Sequence, residues 1–253
     1  MPAKPRKLIV GNWKMNGLRH SLDQIELIAR GYDAKLRRAC ELVICPPATL
    51  IRLAAQAALG THIGIGGQDC HVEASGAFTG EISAEMLADS GATTVIVGHS
   101  ERRSYFAETD GDVRSKAQAA LRAGLAPIIC VGETNSDREA GRTLAVVKRH
   151  ILGSVPHDSE ADRVIVAYEP VWAIGTGLTP TVADIAEVHQ FIGRELRALL
   201  GEDRANQTPI LYGGSVKPSN ATNILAIEHV GGALVGGASL KATDFLAIAA
   251  CAA

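Results

Sequence analysis

Short apolar runs rich in β-branched residues alternate with longer amphipathic segments along the whole chain. Eight of these runs are typical of buried strands: Lys7–Asn12, Glu41–Cys45, His62–Ile65, Thr93–Val97, Pro127–Val131, Arg163–Tyr168, Pro209–Tyr212 and Ala233–Val235. The segments between them predict helices, for example over Leu22–Ala29, Leu50–Leu59, Val113–Ala123, Leu144–Leu152 and Ile185–Leu200. Strands that are nearly continuously apolar belong to a sheet covered on both faces. Eight strands, each followed by a helix, predict an α/β fold, a closed (β/α)₈ barrel that spans residues 1–253 as a single domain.

Local signals agree with this alternation. Ser21 with Gln24 three residues later predicts a capping box for the first helix, and Gly124 and Gly201 lie where helices should end. The competing architecture is an open doubly wound sheet, which usually begins with G-x-G-x-x-G after its first strand. Here the first strand ends in Gly11-Asn12-Trp13-Lys14, and this difference favours the barrel.

Composition narrows the class of protein. The chain has 253 residues, 47% of them hydrophobic, and a formal charge of −2, which calls for neither a nucleic-acid nor a membrane partner. No apolar run is long enough to span a bilayer, and the first residues do not resemble a signal peptide. The five cysteines are scattered without metal-site spacing. We therefore expect reduced thiols in a cytoplasmic protein.

The segment 167–180, which reads AYEPVWAIGTGLTP, carries the strongest chemical signal. Glu169 lies at the end of a predicted strand, and Pro170 restricts the backbone directly after it. The apolar stretch that follows ends at Gly175 and Gly177. Apolar residues in an exposed connection indicate a lid, and a carboxylate beneath such a lid becomes a stronger base when water leaves. The alternative is an ion-paired surface glutamate before an ordinary loop.

Other predicted strands also end in polar residues or glycines. Asn12 and Lys14 follow the first strand, His99 follows the fourth, and Gly-Gly pairs follow the seventh and eighth. Taken singly, Asn12 could cap a turn, Lys14 could be a solvated charge, and His99 could be structural. Because barrel chemistry lies at the carboxyl ends of the strands, their convergence at one rim predicts an active site.

The last two strand ends point to one kind of ligand. Glycines allow the backbone amides of Ser215, Gly236 and Gly237 to approach an anion closely, and a short helix that follows would aim its N-terminus at the same point. One Gly-Gly pair alone would indicate only a tight turn. Two pairs on consecutive final strands predict a phosphorylated small substrate.

Several ordered motifs resemble those of the triosephosphate isomerase family, and they extend from the first strand to the last helix. They are GNWK at 11–14, GAFTGE at 76–81, VGHSERR at 97–103, AYEPVWAIGTG at 167–177, YGGSV at 212–216 and VGGASL at 235–240. The resemblance implies interconversion of dihydroxyacetone phosphate and glyceraldehyde 3-phosphate through an enediol or enediolate. It implies no metal and no organic cofactor.

The resemblance also implies residue roles. Glu169 would be the base, and His99, neutral at the start of a helical turn, would polarise the substrate oxygens and shuttle protons between them. Lys14 and Asn12 would stabilise developing negative charge. Glu101 resembles the residue that pairs with the catalytic lysine. The alternative is a carboxylate at a helix start that is favoured there only by the helix dipole.

The lid would run from Pro170 to Pro180, include Trp172 and Gly175, and close over the phosphate to exclude water. In the family, the tyrosine and serine of YGGS latch the closed lid, here Tyr212 and Ser215. This chain departs from many relatives by carrying the sequence LTP at 178–180. Because proline has no amide hydrogen, a tyrosine latch to position 180 cannot form, and we expect a bond from Ser215 to the Gly177 amide to contribute more. Gly231 stands where relatives often carry Asp.

The segment 68–81 resembles the family's dimer loop. It lacks a clear helix or strand pattern, which favours a loop bound by a partner over an ordinary surface excursion. Thr79 would reach toward Asn12 and His99 of the neighbouring subunit, and Glu81 would pair with its Arg102. The resemblance therefore implies at least an isologous homodimer.

Two other functions stay open at this point. One is a different barrel enzyme acting on a sugar phosphate, such as an aldolase that forms a Schiff base with a lysine. The other is a non-catalytic phosphate-binding relative that keeps the fold. The presence of Lys14, His99 and Glu169 together favours the isomerase.

Overall fold

The architecture is a closed barrel of eight parallel strands, described by a computed structural model for residues 6–157, 163–174 and 178–252. Each strand pairs with its sequence neighbours, and β8 pairs with β1. The strands are β1 Lys7–Asn12, β2 Cys40–Cys45, β3 Ile63–Gly67, β4 Thr94–Val97, β5 Ala126–Val131, β6 Ile165–Tyr168, β7 Ile210–Tyr212 and β8 Gly232–Val235. The predicted (β/α)₈ barrel is thus confirmed.

Helices connect the strands on the outside of the barrel. They are α1 Asp23–Gly31, α2 Ala34–Ala39, α3 Ile51–Ala57, α4 Ala84–Asp89, α5 Ser100–Tyr105, α6 Asp110–Arg122, α7 Asn135–Glu139, α8 Thr143–Ser154, α9 Val182–Leu200, α10 Glu202–Gln207, α11 Ala221–Leu225 and α12 Ala242–Ala250. Short 3₁₀ turns cover Arg19–Leu22, Ala48–Leu50, Val171–Ala173 and Gly237–Leu240.

Local sequence explains where the longest helix begins and ends. Thr181 Oγ1 accepts a hydrogen bond from the Asp184 amide, and the Thr181 amide donates to the Asp184 carboxylate, so the two residues form a capping box before α9. Gly201 ends the helix with a φ of 83°, a conformation that glycine adopts without strain. The capping box predicted for the first helix is wrong. Ser21 Oγ instead accepts from the Leu18 amide, and Gln24 Oε1 accepts from the amide of Ala242, 218 residues away.

Apolar side chains fill both faces of the sheet. Inside the barrel, Val10, Ile96, Ile128 and Leu211 belong to one buried cluster, and a larger cluster lies between the strands and the helices. Four of the five cysteines are buried, and all five are free thiols. None of the helices described is long and apolar enough to cross a membrane.

Candidate active site

A cavity of about 760 Å³ opens at the carboxyl ends of the strands. Its walls bring together most of the residues singled out in the sequence: Asn12, Lys14, His99, Glu169, Ser215, Gly236 and Gly237. They come from β1, β4, β6, β7 and β8 and from the loops that directly follow these strands. The barrel therefore assembles one site from segments that are far apart in sequence.

The carboxylate of Glu169 lies on the floor of this cavity and is only 2% exposed. His99 Nε2 is 2.9 Å from Glu169 Oε1. The Ser100 amide donates to Oε2 at 3.0 Å, and the Ser100 hydroxyl donates to Oε1 at 3.3 Å. Burial raises the pKa of Glu169, but the adjacent His99 and these donors outweigh it, so the net pKa is lowered and the carboxylate is ionised in this arrangement.

His99 is the N-cap residue of α5, and its ring is buried. Burial lowers the pKa of His99, whereas the charge of Glu169 and the hydrogen bond to it raise the pKa, and the net direction is upward. The other ring nitrogen, Nδ1, accepts a hydrogen bond from the Glu101 amide at 3.2 Å. A nitrogen that accepts such a bond carries no proton, so the ring proton lies on Nε2 of a neutral imidazole.

Lys14 is held by three contacts at the end of β1. Its Nζ lies 2.5 Å from Glu101 Oε1, and its amide donates to Asn12 Oδ1 at 3.0 Å. The Gln68 side chain donates to the Lys14 carbonyl at 2.9 Å. Lys14 has a φ of 53°, an uncommon conformation for a residue other than glycine. These contacts hold the ammonium group at the cavity wall, facing the same space as His99.

The two glycine-rich strand ends form the part of the wall next to Lys14. Gly237 opens the 3₁₀ turn Gly237–Leu240 that follows β8. Apart from its chain neighbours, no atom of the described residues lies within 4 Å of the position that a Cβ of Gly237 would take. Within the same residues, only the Lys14 side chain approaches the corresponding position at Gly236, at 3.9 Å. Gly236 and Gly237 therefore expose their backbone to the cavity close to the Lys14 side chain. Backbone amides beside a lysine suit a phosphate group.

Contacts of Trp172 with Glu133 and Arg138 hold the segment that follows Glu169. Trp172 Nε1 donates to Glu133 Oε1 at 2.7 Å, and the Arg138 guanidinium lies 4.3 Å from the Trp172 ring centroid. Glu133 is fully buried and also accepts from the Tyr168 hydroxyl at 3.2 Å. Pro170 is buried. Gly175, expected in the lid, and Gly177, expected in its latch, lie outside the described residues.

The two residues expected to latch the lid differ in their surroundings. The Tyr212 hydroxyl is buried and has no hydrogen-bond partner within the described parts of the chain. A Cβ added at Gly214 would lie 2.2 Å from that oxygen, so Gly214 covers it directly. Pro180 is also buried. Ser215, in contrast, lines the open cavity.

The expected dimer loop projects from the barrel. Apart from an isolated bridge between His71 and Ser83, it forms neither helix nor strand, and residues 73–81 are exposed, Thr79 and Glu81 among them. Arg102 lies within its own chain 2.9 Å from Asp69 and 2.6 Å from Glu108. Exposed apolar side chains occur in this loop and elsewhere: Met15, Phe78, Met86, Tyr105 and Phe106.

Sequence reasoning missed four residues that position this site: Gln68, Ser100, Glu133 and His150. Glu133 and Ser100 follow strands β5 and β4 closely, so their place after a strand end was an available signal. His150 Nδ1 accepts a hydrogen bond from the Gly132 amide at 3.3 Å, across 18 residues, and no local signal indicates this contact. No group of three or more His, Cys, Asp or Glu residues in the described ranges is arranged to hold a metal ion.

This barrel carries a carboxylate, an imidazole, an ammonium group and exposed glycines on one rim. That combination defines a (β/α)₈-barrel enzyme. The model of the family described as triosephosphate isomerase matches residues 7–252. A triosephosphate isomerase of Afipia carboxidovorans is 60% identical over 249 residues, 98% of both chains. That of Ruegeria pomeroyi is 58% identical over 240 residues, 95% of this chain and 94% of the relative.

A solved structure agrees with the sequence relatives. The crystal structure of triosephosphate isomerase from Bartonella henselae superposes with a TM-score of 0.90 at 49% identity and covers 97% of this chain and 98% of that one. The chain belongs to the triosephosphate isomerase family. It is an intramolecular aldose–ketose isomerase that acts on triose phosphates.

Proposed function

We propose that Glu169 carries out this isomerisation as a single base, removing a proton from one substrate carbon and returning it to the neighbouring carbon. The observation that supports this role is the position of its carboxylate, ionised and buried at the floor of the cavity, 2.9 Å from His99. To reach a substrate, Glu169 must give up its bonds to Ser100 and His99. Exchanging those donors for an apolar, water-free surrounding raises its basicity.

His99 would act on the substrate oxygens. Its Nε2–H, which now points at Glu169, becomes available as a donor once the carboxylate moves away. A neutral imidazole is the better partner for this step, because its proton-transfer energetics match those of an enediol hydroxyl more closely than an imidazolium does. The bond from the Glu101 amide to Nδ1 supports the neutral form.

Lys14 and Asn12 would stabilise the negative charge that develops on the substrate. The ammonium is already fixed by Glu101, so little reorganisation is needed when charge appears. The phosphate would bind at Ser215, Gly236 and Gly237, with Gly175 contributed by the lid. Closure of segment 170–180, with Trp172 at its start, would exclude water and prevent loss of phosphate from the enediolate.

The proposal also includes the oligomeric state and the cellular location of the enzyme. We propose that the whole chain acts as one (β/α)₈ domain, that two copies form a homodimer, and that the enzyme works in the cytoplasm. The exposed loop 73–81 and the exposed apolar side chains of Phe78 and Met86 support an interface on that face. In the dimer, Thr79 would complete the neighbouring site, and Glu81 would pair with the partner's Arg102. Four buried free thiols agree with a reducing compartment.

The test is conversion of glyceraldehyde 3-phosphate to dihydroxyacetone phosphate by the wild type and Glu169→Asp, with EDTA present throughout. Shortening the side chain by one methylene moves the base by about 1 Å and should lower kcat by at least about 100-fold. Equal rates in the two proteins would refute the role of Glu169. An aldolase mechanism would instead be detected by borohydride trapping of a substrate adduct at a lysine, and a non-catalytic relative would bind 2-phosphoglycolate without turnover.

A further inference from the structure

A second cavity, of about 700 Å³, lies at the opposite end of the barrel. It is bounded by Lys7 at the start of β1, Ile210 at the start of β7 and Gly231 just before β8. These positions are at the amino ends of the strands, whereas the active site is at the carboxyl ends. Its size is that of an ordinary small-molecule site.

Charge in this cavity is unbalanced. Arg6, Lys7 and Arg197 line it, together with His229 and a single carboxylate, that of Glu228. The Glu228 side chain is 90% exposed and lies 3.8 Å from His229 Nε2, so it points mainly to solvent. Positive charge therefore predominates on the cavity wall, and an anion inside it would be attracted.

The three cations are not equivalent. Arg6 lies 2.5 Å from Glu41 and also donates to the Arg37 carbonyl, and the Lys7 ammonium donates to the carbonyl of Val230. Arg197, only partly exposed, has no ion pair or side-chain hydrogen bond within the described ranges. A guanidinium group has five N–H donors in a planar arrangement that matches a carboxylate. Arg197 therefore has side-chain donors available for an anion in this cavity.

Gly193 leaves the space beside Arg197 open. It is buried in the interior of α9, where glycine is unfavourable for a helix. A Cβ at Gly193 would have its nearest neighbours at 3.9 Å, the Arg197 guanidinium and the Ile210 side chain. Both Gly193 and Gly231 line the cavity without contributing a side chain. The Arg197 guanidinium therefore borders the cavity without a side chain from position 193 beside it.

We propose that this cavity is a binding site for a small organic polycarboxylate, with Arg197 as its main ligand. One carboxylate of the ligand would form a bidentate pair with the Arg197 guanidinium. The neighbouring Lys7 and Arg6 would attract the other carboxylates of the ligand. The site is at the far end of the barrel from Glu169, so binding stabilises the fold and leaves the chemistry unchanged. A ligand that binds only the folded state stabilises it in proportion to the logarithm of its concentration over its dissociation constant.

The test is calorimetric titration of citrate into protein whose active sites are saturated with 2-phosphoglycolate, with chloride at equal ionic strength as the reference. We expect one citrate site per chain in the wild type and in Gly193→Ala, whose methyl group fits the open space. Arg197→Gln should weaken citrate binding by at least about tenfold, since it removes charge-assisted hydrogen bonds. Gly193→Glu should do the same, because it supplies an internal carboxylate four residues before Arg197. All four proteins should isomerise triose phosphate at the same rate.

Three results would overturn the proposal. The first is wild-type protein that binds no citrate beyond the chloride reference. The second is unchanged citrate affinity in both Arg197→Gln and Gly193→Glu. The third is binding of inorganic phosphate as tightly as citrate, which would refute the assignment to carboxylates. Because activity is measured separately, failure of this site and failure of the proposed catalytic roles are distinguishable.

Discussion

Gly132 lies directly against the backbone of Glu169: a Cβ added at Gly132 would be 1.7 Å from the Glu169 carbonyl oxygen and 2.7 Å from the carbonyl carbon. The Glu169 amide also donates to the carbonyl of Val131 at 2.8 Å. The end of β5 therefore fixes the position of Glu169 relative to the barrel. Only glycine allows this approach, since a Cβ at position 132 would displace the Glu169 backbone.

Gly132→Ala should therefore impair catalysis more than it impairs folding. The displaced backbone would move the Glu169 carboxylate by a fraction of an ångström or more, and we expect kcat to fall by about 100-fold. The measurement is steady-state isomerisation together with circular dichroism to verify the fold. Gly111→Ala in α6 is the control, because its Cβ would meet Thr109 Oγ1, at an ordinary contact distance of 3.7 Å. A Gly132→Ala enzyme with wild-type kcat would contradict this account.

Ser100→Ala should shift the acid side of the pH–rate profile upward. The pKa of Glu169 is held below its ordinary value by donors that include His99 and the Ser100 amide, and the Ser100 hydroxyl adds another contact to Oε1. Removing a donor to the charged form raises the pKa, so the base becomes protonated at a higher pH. In kcat/KM, which reports the free enzyme, activity should begin to fall at a higher pH than in the wild type.

Ionisation of the substrate phosphate affects the wild type and Ser100→Ala equally, so only the difference between their profiles is interpreted. Ser100→Thr keeps a hydroxyl and should retain the wild-type profile. Superimposable profiles for wild type and Ser100→Ala would show that the hydroxyl does not influence the base.

Tyr212→Phe and Ser215→Ala separate two ways of holding the lid closed. Because Pro180 has no amide hydrogen, the Tyr212 hydroxyl has no donor to accept from at that position, and it is unpaired among the residues described. Tyr212→Phe should therefore leave kcat/KM within about threefold of the wild type and should not lower the free energy of unfolding. Ser215→Ala, which removes a hydroxyl from the cavity wall, should lower kcat/KM by at least about tenfold. Equal losses in the two variants would refute this division of roles.

The sequence predicted the barrel because each strand is a short, continuous apolar run and each connection has helical character. It also predicted which residues line the cavity at the carboxyl ends of the strands, because these residues directly follow their strands. Glu169 and His99 are examples: each comes within two residues of a strand end. Where the functional position is fixed by local chain order, the sequence is informative.

Contacts across the fold could not be predicted in this way. Gln24 was expected to cap its own helix, but it binds the amide of Ala242 in the last helix. Gln68 supports the carbonyl of Lys14, and His150 supports the amide of Gly132. A polar side chain offers the same donors and acceptors to near and distant partners. Only the packed structure decides which partner is within reach.

The last prediction concerns stability at acidic pH and rests on His189. This residue is fully buried, and its Nδ1 lies 3.3 Å from the carbonyl of His229, to which it donates, while Nε2 is buried without a partner in the described ranges. Burial lowers the pKa of His189 to about 4. The unfolded chain binds a proton at this side chain near pH 6.5, but the native protein does so only near pH 4. Between these values the unfolded state holds more protons, so stability rises with pH there.

The contribution of His189 is therefore fully present above about pH 6.5 and declines as the pH falls toward 4, by up to about 3 kcal/mol. His189→Gln keeps an amide that can donate to the His229 carbonyl but has no proton to take up. Urea unfolding of the wild type and the variant at pH 7.5, 6 and 4.5 should show a difference in the free energy of unfolding that changes in favour of the variant as the pH falls. Carboxylates act equally in both proteins, and exposed His20→Gln is the matched control. A difference that stays constant from pH 7.5 to 4.5 would show that His189 is not the group titrating.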